Sequence, residues 1–125
     1  MPGSSRTEDH VHVTGRRAGG ALLITLGIDP GYHLNANPAS NKYLIPTTIV
    51  FDGVAPERIA YPSGISFKPA FADEPIDVYE GSVVVAATFP NGALDGAHDL
   101  GFTVTAQACT KDICLPPNDI TARAT

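Results

Sequence analysis

The chain has 125 residues, 43% of them hydrophobic and 17% charged, with 12 glycines and 11 prolines. That length and apolar share suffice for one domain with its own core, and the glycine and proline content suits short strands joined by turns better than amphipathic helices. A formal charge of −5 argues against nucleic acid or an anionic membrane as the main partner, and the longest apolar runs, Ala21–Leu26 and Val83–Ala87, fall far short of the ~20 residues that cross a bilayer.

The opening Met-Pro-Gly-Ser-Ser-Arg is polar and lacks an apolar signal core, so residues 1–9 read as disordered or as an addition to the native chain. His10-Val-His-Val-Thr14 alternates and is expected to be a first strand, a solvated edge with His10 and His12 on one face. Gly15-Arg-Arg-Ala-Gly-Gly20 reads as a turn-rich break, and Ala21–Ile28 as a strand buried on both sides, closed by Asp29-Pro-Gly31. Residues 31–46 are saturated with Asn, Pro and Ser and are expected to be loop or irregular edge. Further strands are expected at Thr47–Phe51 and Arg58–Tyr61. Ser63–Pro75 has no sustained period yet carries Phe67 and Phe71, as a lid or an ordered surface excursion does. Asp77–Glu80, Ser82–Phe89, Leu100–Ala108 and Asp119–Arg123 complete a set of seven or eight strands with regular turn signals and no helix. Such a set predicts an all-β antiparallel sandwich of immunoglobulin type spanning residues 10–125 as one domain.

The chemistry is expected in Gln107-Ala-Cys-Thr-Lys-Asp-Ile-Cys-Leu-Pro-Pro117, which holds the only two cysteines, Cys109 and Cys114. A strand running into a four-residue connection and back is a β-hairpin, and residues at its mouth approach closely enough for a disulfide. Three readings stay open on the residues alone: a redox couple, a structural staple, or a zinc or copper site recruiting His33 or His10 and His12. The staple is the weaker alternative to a redox couple, because closing so short a ring contributes only ~2 kcal/mol and a sandwich of this size has a core without it.

The segments Gly31-Tyr-His-Leu-Asn-Ala-Asn-Pro38, Tyr43-Leu-Ile-Pro-Thr47, Phe71-Ala-Asp-Glu-Pro75 and Val78-Tyr-Glu-Gly81, followed by the cysteine segment with its Pro116-Pro117, resemble in that order the N-terminal periplasmic domain of the thiol:disulfide interchange protein DsbD, the cytochrome c biogenesis transmembrane protein. The resemblance runs from about Ala21 to Ile120. It implies an immunoglobulin-like sandwich with a redox pair on a hairpin under a hydrophobic cap loop. It implies no dissociable cofactor and no resident metal.

The resemblance further implies a periplasmic domain of a membrane-anchored chain, a monomer that takes electrons from a membrane-linked reductant and passes them to thioredoxin-like partners. Cys114 would form the mixed disulfide and Cys109 would resolve it. The cap is expected at Ser66–Asp77, with Phe71 (Phe67 as runner-up) over the sulfurs and Asp73 and Glu74 placed to relay protons. His33 and Asn35 are expected near the pair, and Pro116 and Pro117 to stiffen the exit of the hairpin. The chain departs from the family pattern in having one residue fewer between the cysteines than the best-known members. It also has His33 and Asn35 where some members carry tyrosines. The competing reading from another class is a non-catalytic sandwich module for binding or assembly.

Overall fold

A computed structural model describes residues 6–95 and 100–125. Among these, eleven strands form two sheets, with no α-helix. Strands β1 (Val11–Ala18), β2 (Ala21–Ile28), β4 (Thr48–Phe51), β5 (Arg58–Ala60), β8 (Ser82–Thr88), β9 (Leu100–Ala106) and β11 (Asn118–Ala124) make a seven-stranded sheet in the order β4-β9-β11-β1-β2-β8-β5. The second sheet has four short strands in the order β10-β3-β7-β6, from β3 (His33–Asn35), β6 (Ile65–Phe67), β7 (Ile76–Tyr79) and β10 (Ala108–Cys109). The architecture is the expected all-β immunoglobulin-like sandwich. Its pairings are antiparallel except for β1 with β11.

The core forms where the inner faces of the sheets meet. Strand β2 supplies Leu22, Ile24, Leu26 and Ile28 at every second position, the spacing that points side chains to one face. Phe102 and Val104 of β9, Val85 and Ala87 of β8, and Leu34 and Tyr79 of the smaller sheet complete it. Phe102, Phe51 and Phe89 form an aromatic chain, the Phe51 and Phe89 rings meeting edge-on at 5.1 Å.

Five sequence expectations are corrected. Strand β1 runs on through Gly15-Arg16-Arg17-Ala18 and pairs with β2 along its whole length, so only Gly19-Gly20 turn. Gly15 serves packing, because a Cβ there would lie 2.9 Å from the Phe102 ring. Gly19 has φ +63°, the left-handed conformation a two-residue hairpin turn demands. Strand β1 also lies inside the sheet, between β11 and β2, rather than at a solvated edge.

The segment from Gly31 to Pro46, expected as loop or irregular edge, contains β3, which lies inside the smaller sheet between β10 and β7. Three residues are too short for a periodic signal, and all three are buried. The expected cap segment is narrower than Ser66–Asp77, since its ends are the paired strands β6 and β7 and the loop proper is 68–75. Finally, residues 6–9 are part of the fold. Thr7–Asp9 form a 3-10 turn, and Thr7 is fully buried. Residues 1–5 of the expected disordered lead-in lie outside the described residues.

Candidate functional site: a disulfide hairpin between two sheets

The cysteine hairpin starts where the chain leaves one sheet for the other. Ala106 still pairs with Asn118 in the seven-stranded sheet, and two residues later Ala108 pairs with Leu34 in the smaller one. Gln107 is the corner, its Nε2 donating to the Leu115 carbonyl at 3.2 Å. Beyond it, Cys109 and Cys114 stand directly opposite each other and are joined as a disulfide, Cα atoms 4.0 Å apart. Backbone bonds flank the pair on both sides, Thr110 N–H to the Ile113 carbonyl (2.7 Å) and Leu115 N–H to the Ala108 carbonyl (2.9 Å). The cysteines therefore occupy the non-hydrogen-bonded rung, where side chains come closest. At the tip the Thr110 hydroxyl accepts from the amides of Asp112 and Ile113, both at 3.2 Å, which closes the four-residue turn.

The two sulfurs are unequal. Cys109 is 1% exposed, whereas Cys114, on the outer arm, is exposed. Strand parity explains the placement. Leu34 pairs with Ala108 on one side and Tyr79 on the other, and all three belong to the inter-sheet core, so Cys109, His33, Asn35 and Val78 project from the opposite face. That outer face is covered by loops, not by the other sheet. The disulfide there lies outside the main core.

His33 is the cross-strand partner of Cys109, so their side chains share that face as immediate neighbours. The Phe67 ring lies against the imidazole, centroids 4.9 Å apart. His33 is 2% exposed, and its Nε2 has no hydrogen-bond partner. Burial pushes the imidazole below the ordinary histidine value, partly offset by the Glu80 carboxylate. The unfolded chain takes up a proton near pH 6.5 that the folded His33 resists. Its contribution to stability is thus complete above that pH and is lost as the pH falls through 6.5 toward the folded value. The His33→Gln variant should accordingly lose less stability than the parent between about pH 7.5 and pH 5.5 in urea titrations. Identical pH dependence in the two proteins would remove His33 as the titrating group.

Asn35 is buried but does not reach the disulfide through any hydrogen bond. It organises the loop after β3: its Nδ2 donates to the Ile45 carbonyl (2.9 Å), and its own carbonyl accepts the Thr47 hydroxyl (2.7 Å). Asn37 Nδ2 adds a bond to the Thr47 carbonyl at 2.9 Å. This returns residues 40–44 to one wall of a cavity of about 650 Å³ beside Cys114.

Phe71, Asp73, Glu74, Pro75 and Ile76 line the same cavity together with Tyr43, Leu44, Gln107 and Cys114. The two aromatic candidates are thus separated. Phe71 lines the cavity that Cys114 also lines, while Phe67 packs on His33 and lines a second cavity of about 440 Å³ with Lys111 and Asp112. The loop is tied to the hairpin by the Ala70 amide, which donates to the Lys111 carbonyl at 2.9 Å. Pro116 and Pro117 are both exposed at the exit of the hairpin.

His10 and His12 are far from this chemistry in role. Both ring nitrogens reach Asp29, at 3.2 and 2.8 Å, and these bonds hold its carboxyl below the usual carboxylate range. Among the described residues no cluster of three His, Cys, Asp or Glu side chains has the arrangement to hold a metal ion. Sequence reasoning missed Gln107 as the corner and Tyr43 and Leu44 as cavity wall. Tyr43 lay within a recognised segment, but nothing in its neighbours says that the chain folds it back toward Cys114.

The fold and this hairpin define a class: a thiol–disulfide interchange domain, a β-sandwich whose disulfide joins a buried cysteine to an exposed one. The chain belongs to the family described as thiol:disulfide interchange protein DsbD, N-terminal, whose family model matches residues 6–125. Among solved structures it is similar to the N-terminal domain of DsbD from Neisseria meningitidis in its reduced form (TM-score 0.70, 17% identity, covering 98% of this chain and 87% of that one). It is also similar to the N-terminal periplasmic domain of ScsB from Proteus mirabilis (TM-score 0.66, 18% identity, covering 98% of this chain and 47% of that one). At those identities the likeness is one of fold. Comparison with curated proteins gave no match.

Proposed function

We propose that this domain is an electron carrier of the periplasm, accepting reducing equivalents from a membrane-linked reductant and passing them to thioredoxin-like proteins through Cys109 and Cys114. The observation that carries this reading is the asymmetry of the disulfide: Cys114 open to an incoming thiol beside a cavity, Cys109 buried behind it. A donor thiolate attacks the Cys114 sulfur, breaks the disulfide and expels Cys109 as thiolate. A second donor thiol then releases the dithiol form. In the forward direction the Cys114 thiolate attacks a partner disulfide, and Cys109 resolves the mixed disulfide by attacking the Cys114 sulfur.

His33 takes the proton from Cys109 in that last step; what supports this is that it is the cross-strand neighbour of Cys109 and that its Nε2 has no hydrogen-bond partner. The His33→Gln variant should then let the Cys114 mixed disulfide accumulate, with the change confined to resolution. The loop 68–75 acts as a cap on Cys114, with Phe71 as its apolar face and Asp73 and Glu74 on its rim.

Equilibration against glutathione buffers tests the assignment. A carrier is expected to exchange at an intermediate potential, within the range of roughly −180 to −270 mV spanned by disulfide isomerase and thioredoxin. A potential below about −300 mV, where structural disulfides fall, would instead make the domain a stapled binding module.

A further inference from the structure

The residues Arg6-Thr7-Glu8-Asp9 are polar, yet Thr7 is fully buried between exposed neighbours. A buried hydroxyl needs partners, and both of Thr7's lie on the cysteine hairpin, more than a hundred residues away in sequence. Its Oγ1 accepts the amide of Ala108, the residue before Cys109, at 3.0 Å. It donates to the carbonyl of Pro116, two residues after Cys114, at 2.7 Å. The turn itself is anchored by the Glu8 amide, which donates to Asn118 Oδ1 at 3.2 Å.

These bonds fall where the hairpin ladder is interrupted. In a regular antiparallel rung Ala108 and Leu115 would exchange both backbone bonds. Here the Leu115 amide does donate to the Ala108 carbonyl, but the Leu115 carbonyl accepts the Gln107 side chain and the Ala108 amide turns to Thr7. The Thr7 hydroxyl is thus inserted between the two arms directly below the disulfide, and it bonds to both.

We propose that Thr7 is a positioning residue for the redox pair, its hydroxyl clamping the two arms of the hairpin so that the Cys109–Cys114 disulfide is harder to reduce. The inference rests on the carrier reading above. In the oxidised domain the disulfide already holds the arms together, and the clamp adds little order. In the dithiol form the arms are joined only by hydrogen bonds, so the clamp restrains motion that reduction would otherwise release. Clamp and disulfide therefore favour each other, and by reciprocity weakening one weakens the other.

The test measures the equilibrium of domain disulfide plus two glutathione thiols with domain dithiol plus glutathione disulfide, for the parent, Thr7→Val and Thr7→Ser. Thr7→Val keeps the shape and loses both bonds; it is expected to favour the dithiol by about fivefold, some 20 mV for a two-electron couple. Thr7→Ser, which keeps the hydroxyl, should stay close to the parent. A purely structural Thr7 would lower the stability of both redox forms equally and leave the equilibrium where it was. That result, or a Ser variant as shifted as the Val variant, overturns the proposal. Urea unfolding of the disulfide form and of the phosphine-reduced form gives the same coupling independently. Thr7→Val should destabilise the disulfide form more than the reduced form. This second readout needs no exchange with glutathione. If the parent disulfide is inert, the carrier reading fails while the Thr7 coupling is still decided.

Discussion

The Cys109→Ala variant is expected to capture a thioredoxin-like partner as a stable mixed disulfide, whereas Cys114→Ala captures none and both lose electron transfer to background. The reason is access. In Cys109→Ala the remaining sulfur is the exposed one beside the cavity, and the thiol that would resolve the adduct is gone. In Cys114→Ala the remaining Cys109 sits at 1% exposure on a strand paired with β3, with the hairpin's outer arm in front of it. Thiol–disulfide exchange requires the attacking sulfur to reach the disulfide in line, so a buried thiol cannot start the reaction. Non-reducing gels with an oxidised thioredoxin-like protein read the result directly. Equal trapping by the two variants would end the division of labour between the cysteines, and with it the mechanism.

Phe71→Ala should speed reduction of the domain by glutathione about tenfold while leaving its unfolding midpoint nearly unchanged. The side chain is 44% exposed and lines the cavity at Cys114, so it contributes little to the main core and much to what stands beside the sulfur. Burying a whole phenylalanine is worth about 3 kcal/mol at the upper end of the usual range. Half of that corresponds to about a tenfold shift between a closed and an open cap. The Ala70–Lys111 backbone bond survives the substitution and keeps the loop attached, so the change is in shielding and not in folding. Stopped-flow reduction of parent and variant measures it; an unchanged rate would leave Phe71 as surface and the loop without a capping role. Phe67→Ala serves as the contrast, because Phe67 packs on His33 and does not line the cavity at Cys114.

On the proposed carrier reading, an asymmetric disulfide beside the 68–75 loop suits an oxidising compartment. Small thiols would meet the loop first, and a protein partner would displace it through a larger contact. Tyr43, on the cavity wall, and Ile113, in the connection of the hairpin, are both exposed.

Much of this was legible in the chain itself. The apolar run Ala21–Ile28, closed by Asp29-Pro-Gly31, reads as a core strand without reference to anything else. The run predicts burial on both sides, whereas only Leu22, Ile24, Leu26 and Ile28 are buried and the other face is half-buried. Turn residues bracket most strands, and the close cysteine pair in a strand–turn–strand context already places a disulfide at a hairpin mouth. Local chemistry is enough for such features, since neighbours in sequence are neighbours in space.

Other features depended on contacts that no local pattern encodes. Gly15 resembled a turn residue but is the space into which Phe102 packs. Strand β3 has three residues and takes its conformation from pairing with β7 and β10, so it left no period of its own. The unequal exposure of Cys109 and Cys114 comes from the chain changing sheets at Gln107 and from loops folding over one face. Thr7 is the clearest case. In sequence it is one hydroxyl in a polar stretch, and only the folded chain brings it between two arms of a hairpin a hundred residues distant. Periodicity and turn chemistry are short-range and survive in the unfolded text; burial and long-range hydrogen bonding exist only once the sheets have packed.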